Sequence, residues 1–196
     1  MIRLFSLFCK LFQIKDSADV LYGRFVNDFQ PQQEQCPYCC ARGMFVRFGS
    51  YERNVIDMID GVPHCHSISV QRVLCRNCSR THALLPDFII PYDQYSLAFI
   101  LHVLAAYFTH NKTVDELCGW AQITPSILYR WKTLFIKHRS LWLTVLEQLA
   151  AASCQFLDYI VELPHPSGFL RAFFRKASFS FLQSHENPAN SRKAPS

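Results

Sequence analysis

The sequence predicts an α+β protein: a small antiparallel zinc ribbon followed by a helical helix-turn-helix domain. Three observations carry that expectation. Cysteines recur as two C-x2-C pairs, Cys36/Cys39 and Cys75/Cys78. The segment between the pairs reads as strands with a tight turn. Further along, two short helices with clear start signals flank a three-residue turn. The expected organisation is an N-terminal amphipathic helix and linker (1–35), the ribbon (36–83), the helical domain (95–152), and a C-terminal amphipathic helix with a disordered tail (153–196).

Composition fits an ordered chain. Half of the 196 residues are hydrophobic and 18% are charged, below the roughly 25% of an ordinary soluble domain. The net charge of +5 is unevenly spread. Residues 36–83 hold six arginines against Glu52, Asp57 and Asp60. Residues 95–140 hold Lys112, Arg130, Lys132, Lys137 and Arg139 against Asp115 and Glu116. Each segment is thus +3, the balance a phosphate-binding surface requires. Met1–Lys15 has an apolar run, but Lys10 interrupts it and no small-residue cleavage site follows. No segment reaches the roughly 18 uncharged apolar residues of a membrane span. A reducing, cytoplasmic setting without stable membrane insertion is therefore expected, where paired cysteines point to metal rather than disulfides.

The elements follow in order. Ile2, Phe5, Phe8, Cys9 and Phe12 have helical spacing, and Gln30–Gln35 is a polar linker after which the first ordered module is expected to begin. Met44–Phe48 and Tyr51–Met58 are two aromatic and β-branched runs with Gly49-Ser50 as a turn between them. Asp60-Gly61 is a hairpin signal, because a type I′ turn needs positive φ at both central residues. His66–Leu74 alternates as a strand. Leu84–Tyr95 contains Pro86 and Pro91, and Pro91-Tyr92-Asp93-Gln94 reads as a connector. Ser96 caps a helix bearing Leu97, Ile100, Leu101, Leu104, Ala105 and Phe108. Another helix covers Ser140–Ala152, with Leu141, Val145, Leu146 and Leu149 on one face. A last helix runs from Ser167 to about Gln183, with Phe169, Leu170, Phe173, Phe174, Phe181 and Leu182 on its apolar side and Arg171, Arg175 and Lys176 beside it.

The cysteines spell C-x2-C-x35-C-x2-C. Two residues between cysteines let one turn aim both sulfurs at a point. Two such knuckles, Cys36/Cys39 and Cys75/Cys78, then supply the four-sulfur tetrahedron that one structural Zn2+ prefers. Two features are atypical: the long insert, and Cys40 and Ser79 in positions after each knuckle where glycine usually relieves a left-handed turn. Cys40, His64, Cys65, His66 and His82 are rival ligands by proximity in sequence. Cys9, Cys118 and Cys154 read as small buried hydrophobes. Four thiolates close the coordination sphere, so the site supplies no reactive position.

Thr113-Val114-Asp115-Glu116 is a capping box. Ala121-Gln122-Ile123 makes a turn, and Thr124 caps a second helix with Pro125 at its first position. Ile123, Leu128, Trp131 and Phe135 are expected to pack inward. Ser126, Ile127, Tyr129, Arg130 and Thr133 then face outward, with Lys132 beside them. In a recognition helix such residues meet base edges and phosphates. A plain helical hairpin with a solvated face would show the same caps; the local charge and neighbouring ribbon favour DNA.

The segments CPYCC, RVLCRNCSRTHALLPDFIIPY and TVDELCGWAQITPSILYRWKTLF resemble the N-terminal half of bacterial insertion-sequence transposases. They are closer still to short zinc-ribbon/helix-turn-helix proteins of uncharacterised function related to those enzymes. The resemblance covers about residues 36–150. It implies a ribbon that helps position DNA ends and a helix-turn-helix that binds them, in a transposon accessory factor or regulator. Transposases of this kind also need an RNase H-like domain with three metal-binding carboxylates. After residue 150 only Asp158, Glu162 and Glu186 are acidic, and some 46 residues cannot build that fold. No enzymatic activity is expected, and the missing knuckle glycines also fit a degraded transposase remnant.

The expected partners are DNA and a separate transposase subunit, and a homodimer is compatible with the sequence. A rival reading is a zinc-stabilised protein-interaction module that uses the Phe-rich terminal helices and binds no DNA.

Overall fold

A computed structural model describes residues 2–4, 18–109, 112–148 and 166–184. Four strands, β1 (Ile2–Leu4), β2 (Phe45–Ile59), β3 (Val62–Cys75) and β4 (Thr81–Pro86), form one sheet in the order β1-β4-β3-β2. The last three are antiparallel, and β1 adds to the edge of β4 in parallel. The helices are α1 (Ala18–Asp28), α2 (Leu97–Phe108), α3 (Val114–Ala121), α4 (Pro125–Lys137), α5 (Arg139–Gln148) and α6 (Pro166–Ala177). The chain is thus mixed α and β, with a three-stranded antiparallel sheet at the cysteine pairs and helices after it. Among the described residues no helix is long and apolar enough to cross a membrane.

The N-terminal part departs from expectation. Residues 2–4 are strand, not helix, because the free edge of β4 offers backbone partners that an isolated short helix lacks. The rest of the helix expected over 1–14 lies outside the described residues. Order also begins before the polar linker. Tyr22, Phe25, Val26 and Phe29 are buried by α1 and its end, at the i, i+3, i+4, i+7 spacing of one helical face. The Tyr22 hydroxyl accepts from the Gln71 N–H (2.6 Å) and donates to the Leu84 carbonyl (3.2 Å), bracing β3 and β4 from outside the ladder.

The hairpin is longer and simpler than its sequence suggests. Phe45–Ile59 is one strand, not two runs separated by a turn. At Gly49 the register slips through a β-bulge between Arg47 and Gly49, with Gly49 at φ 118°. A glycine inside a strand pattern marks a bulge more readily than a reversal when both flanks find the same partner strand. The reversal is at Asp60-Gly61, with φ 50° and 77°, the two positive values that a type I′ turn requires. Residues 81–86, for which the sequence predicts no strand, form the third antiparallel strand. Residues 84–91 are all buried, so this proline-containing stretch is core and not a surface loop.

Three apolar clusters result. Phe29, Cys36, Phe45, Val73, Cys75 and Leu84 pack together at the cysteine end. Tyr22, Phe25, Val26, Val55, Ile68, Val70, Leu85, Phe88 and Ile89 join α1 to the sheet. The largest cluster unites helices α2 to α6 and is met by Ile56 and Met58 from the far half of the hairpin. That half is fixed by backbone bonds from Ile56 N–H to Gln94 and from Ser96 N–H to Ile56. Trp120 Nε1 donates to the Gly61 carbonyl at 2.9 Å, seating the hairpin tip on α3.

The terminal helix is shorter than expected, ending at Ala177, with Ser178 in the left-handed region at φ 62°. Phe169, Leu170, Phe173, Phe181 and Leu182 are buried, Phe174 half-buried, and Arg171, Arg175 and Lys176 exposed. In α5, Leu141 packs against the helical core beside the buried Trp142; the rest of its expected apolar face, from Val145 onward, and the C-terminal tail from 185 lie outside the described side chains.

Candidate functional site

Each cysteine pair sits on a turn of the same construction. Cys36 N–H donates to the Ala41 carbonyl and Cys40 N–H to the Cys36 carbonyl, both at 2.9 Å. In the second knuckle Cys75 N–H donates to Arg80 (2.9 Å) and Ser79 N–H to Cys75 (2.8 Å). Cys40 and Ser79 take φ 59° and 56°, so the residues expected to stand in glycine-favouring positions do so, at roughly 1–2 kcal/mol each. Pairing of Phe45 with Cys75 and the bond from Arg76 N–H to the Met44 carbonyl (2.8 Å) bring the two turns together.

The four sulfurs of Cys36, Cys39, Cys75 and Cys78 lie within 4.8 Å of one another. Cys36 to Cys78 is 3.8 Å and Cys39 to Cys75 is 3.7 Å. A tetrahedral ion with bonds of roughly 2.3 Å to sulfur spaces its ligands by about 3.8 Å, whereas a disulfide needs about 2.05 Å. The geometry is that of a candidate site for one metal ion. Among the described residues no other His, Cys, Asp or Glu cluster has this arrangement. Cys40 is exposed, and His64, Cys65 and His66 lie on β3 opposite Asp57, Ile56 and Val55, at the far end of the hairpin. Cys118 is buried, while Cys9 and Cys154 lie outside the described residues.

His82 joins the site without entering the ligand set. It is buried, with Nε2 3.5 Å from Cys36 Sγ and its ring edge-on to Phe45. Burial, helped by the charge of Arg80, holds it down to about 4, so it is neutral at pH 7 and able to donate one N–H to a thiolate. The thiols differ among themselves. Burial pushes Cys36 up to about 12 and raises Cys78, while Asn77 and the Ala41 N–H pull Cys39 down to about 6. A bound cation is what would hold all four as thiolates.

The helices after the sheet carry the expected caps. Glu116 N–H donates to Thr113 Oγ1 (3.3 Å) while Thr113 N–H donates to the Glu116 carboxylate (2.8 Å), completing the capping box. Gln122 ends α3 in the left-handed region at φ 52°, and Thr124 Oγ1 accepts from Ile127 N–H to start α4 with Pro125 in its first turn. Ile123, Leu128, Trp131 and Phe135 are buried with Leu117 and α2.

On the other side of α4, Ser126, Tyr129, Arg130 and Thr133 are exposed and Ile127 and Lys132 half-buried. Three of these six have other engagements, and the most local is Thr133 Oγ1, which donates to the Tyr129 carbonyl at 2.8 Å. Arg130 donates to Asp93 Oδ2 at 3.1 Å. That carboxylate is 3% exposed and also accepts from Trp131 Nε1 (3.4 Å) and Tyr95 N–H (3.2 Å). Lys132 Nζ donates to the Tyr107 hydroxyl at 2.7 Å and lies over the Tyr107 and Tyr129 rings. Sequence reading missed Asp93 because its partners are 37 and 38 residues away, beyond any local pattern.

Residues 36–131 match the model of a family described as a domain of unknown function (DUF6431). The matched span opens at Cys36, includes both knuckles and closes at Trp131 in α4. No curated protein and no solved structure matches the chain.

Proposed function

We propose that this is a zinc-stabilised DNA-binding protein, a transposase-like accessory factor or regulator. The observation that carries the reading is the exposed face of α4. Ser126, Tyr129 and Thr133 stand on a helix whose opposite side is anchored by the fully buried Leu128 and Trp131. The three-residue turn after α3 and the two capped starts support reading the pair as a helix-turn-helix, whose second helix would enter the major groove. In this reading Ser126, Ile127, Tyr129 and Thr133 meet the base edges and sugar–phosphate wall. Arg130 and Lys132 contact phosphates from positions set by Asp93 and Tyr107. The all-sulfur donor set supports zinc as the ion. Its role is to tie together two knuckles that the hairpin brings into contact.

The rival reading, a protein-interaction module built on the Phe-rich helix, is disfavoured by burial: Phe169, Phe173 and Phe181 are at most 2% exposed and cannot meet a partner without unfolding. The test is selection of the zinc-loaded full chain against a randomised duplex library, followed by titration of the enriched sequence. Tyr129→Ala and Thr133→Ala are expected to weaken that sequence selectively. No enrichment, with binding no tighter than about 10⁻⁴ M at physiological salt, sinks the proposal.

A further inference from the structure

Charge is not spread evenly along the hairpin. Arg42, Arg47, Arg72, Arg76 and Arg80 all sit at the cysteine end, on the knuckles or in the strand pairs next to them, and only Arg53, which donates to the Ile90 and Asp93 carbonyls, lies beyond the bulge. Glu52, Asp57 and Asp60, the acidic residues between the first knuckle and the third strand, all lie beyond the bulge. A strand rises about 3.3 Å per residue, which puts Glu52 roughly 10 Å and Asp57 roughly 26 Å along the hairpin from Arg72, which pairs with Gly49. Both separations exceed the Debye length of about 8 Å at physiological ionic strength. The arginines therefore present their charge with little cancellation from the same hairpin.

Two sources of negative charge do lie close by. Four thiolates on a dication carry a net charge of −2, and Glu34 is tied to the first knuckle through its carbonyl bond to Gly43 N–H. Five guanidinium groups still exceed these three charges. Nor are the arginines consumed by carboxylates. Arg80 lies over the exposed Tyr38 ring, 3.5 Å from its centroid, and Arg72 lies 5.9 Å from that of Phe48, which is 53% exposed. Arg42 donates to the Gln33 carbonyl, and Arg72 to Thr81 Oγ1. Arg47 and Arg76 are exposed and make no side-chain hydrogen bond or ion pair among the described residues. On α4, by contrast, the half-exposed Arg130 shares its charge with the Asp93 carboxylate.

We infer that the knuckle end of the ribbon, through Arg47 and Arg76 with the ring-supported Arg72 and Arg80, is a second and electrostatically dominant contact to the DNA backbone, separate from α4. This rests on the DNA-binding reading above. The ribbon supplies sequence-independent affinity for duplex phosphates, and α4 supplies what discrimination there is. A guanidinium stacked on an aromatic ring keeps its charge and its outward N–H groups, so the rings hold these arginines in place without neutralising them.

The experiment uses the zinc-loaded full chain and a mixed-sequence duplex, with affinity measured over a range of salt concentrations. Arg47→Gln/Arg76→Gln is expected to weaken binding at least about tenfold at low salt. It should also flatten the slope of log affinity against log salt by about 2, since each lost phosphate contact removes about 0.9. Ser126→Ala/Thr133→Ala should leave that slope unchanged. If the arginine pair changes neither affinity nor slope while the α4 variant loses binding, this inference is overturned and the DNA-binding reading stands. If the unmodified chain binds no duplex, both fall. Should the arginine variant lose zinc or structure, arginine-selective modification of the unmodified chain decides. Protection of Arg47 and Arg76 by DNA supports the inference, and protection confined to Arg130 and Arg139 overturns it.

Discussion

Arg130, on the exposed side of α4, donates to a carboxylate of Asp93 that is 3% exposed and 37 residues earlier in the chain. The pair locks the segment after the sheet to the helix that follows the three-residue turn. Asp93 is the busier partner, since Tyr95 N–H and Trp131 Nε1 converge on the same carboxylate.

The first prediction separates structure from recognition at this pair. Asp93→Asn should cost about 1–3 kcal/mol, because a buried acceptor shared by three donors is weakened. Arg130→Ala should cost less, about 1 kcal/mol, because half of the guanidinium is in water. Chemical denaturation of both variants checks the order. An Arg130→Ala loss of DNA affinity that simply tracks its loss of stability would remove Arg130 from the contact surface.

A second prediction concerns the metal. Cys36→Ser and Cys75→Ser should each abolish stoichiometric zinc by elemental analysis, and a chelator should unfold the cysteine end first. His82→Phe should keep the ion but weaken its retention about 10- to 100-fold, the usual effect of losing a partner to a ligand. Full zinc content in both serine variants would refute the four-cysteine assignment.

The knuckle turns give a third. Ser79 holds φ 56° without being glycine. Ser79→Gly should therefore raise stability by about 0.5–1 kcal/mol, as relief of the left-handed strain exceeds the added freedom of the unfolded chain. Thermal unfolding of the zinc-loaded variant measures it, and a lower midpoint would contradict the strain argument.

Acid should loosen the helical core. His138 is buried between Phe173 and Phe179, with Nδ1 lacking a hydrogen-bond partner among the described residues. Burial, aided by Lys137, lowers its pKa, and burial does the same for His102. A histidine with a folded-state pKa below about 6.5 takes up its proton more readily when unfolded. Its contribution is complete above that value and is lost as pH falls below it toward the folded-state pKa. Denaturation between pH 7 and 5 should show stability falling with pH, and His138→Leu should flatten the fall. An unchanged slope would mean that other groups dominate.

The fifth prediction tests the role of the terminal helix. Phe173 is fully buried among Phe169, Phe179 and Phe181. Phe173→Ala should cost about 3–5 kcal/mol and unfold α6 from α5. Loss of a protein partner at unchanged stability would restore the interaction-module reading.

What the sequence determined by itself was local. The C-x2-C spacing, the Asp60-Gly61 reversal, the Thr113/Glu116 box and the Thr124-Pro125 start each depend on residues a few positions apart, and each is found where the pattern placed it. Gly49 shows the limit of local reading. The same glycine suits a turn or a bulge, and only a partner strand continuous on both sides decided for the bulge. The strand at 2–4 and the strand at 81–86 exist because each supplies an edge for the other or for β3, which no window of sequence contains. Burial of α6 and engagement of Arg130 by Asp93 were likewise settled by tertiary packing. A helix pattern says which face is apolar or basic, whereas contacts tens of residues distant decide whether that face meets core, carboxylate or solvent.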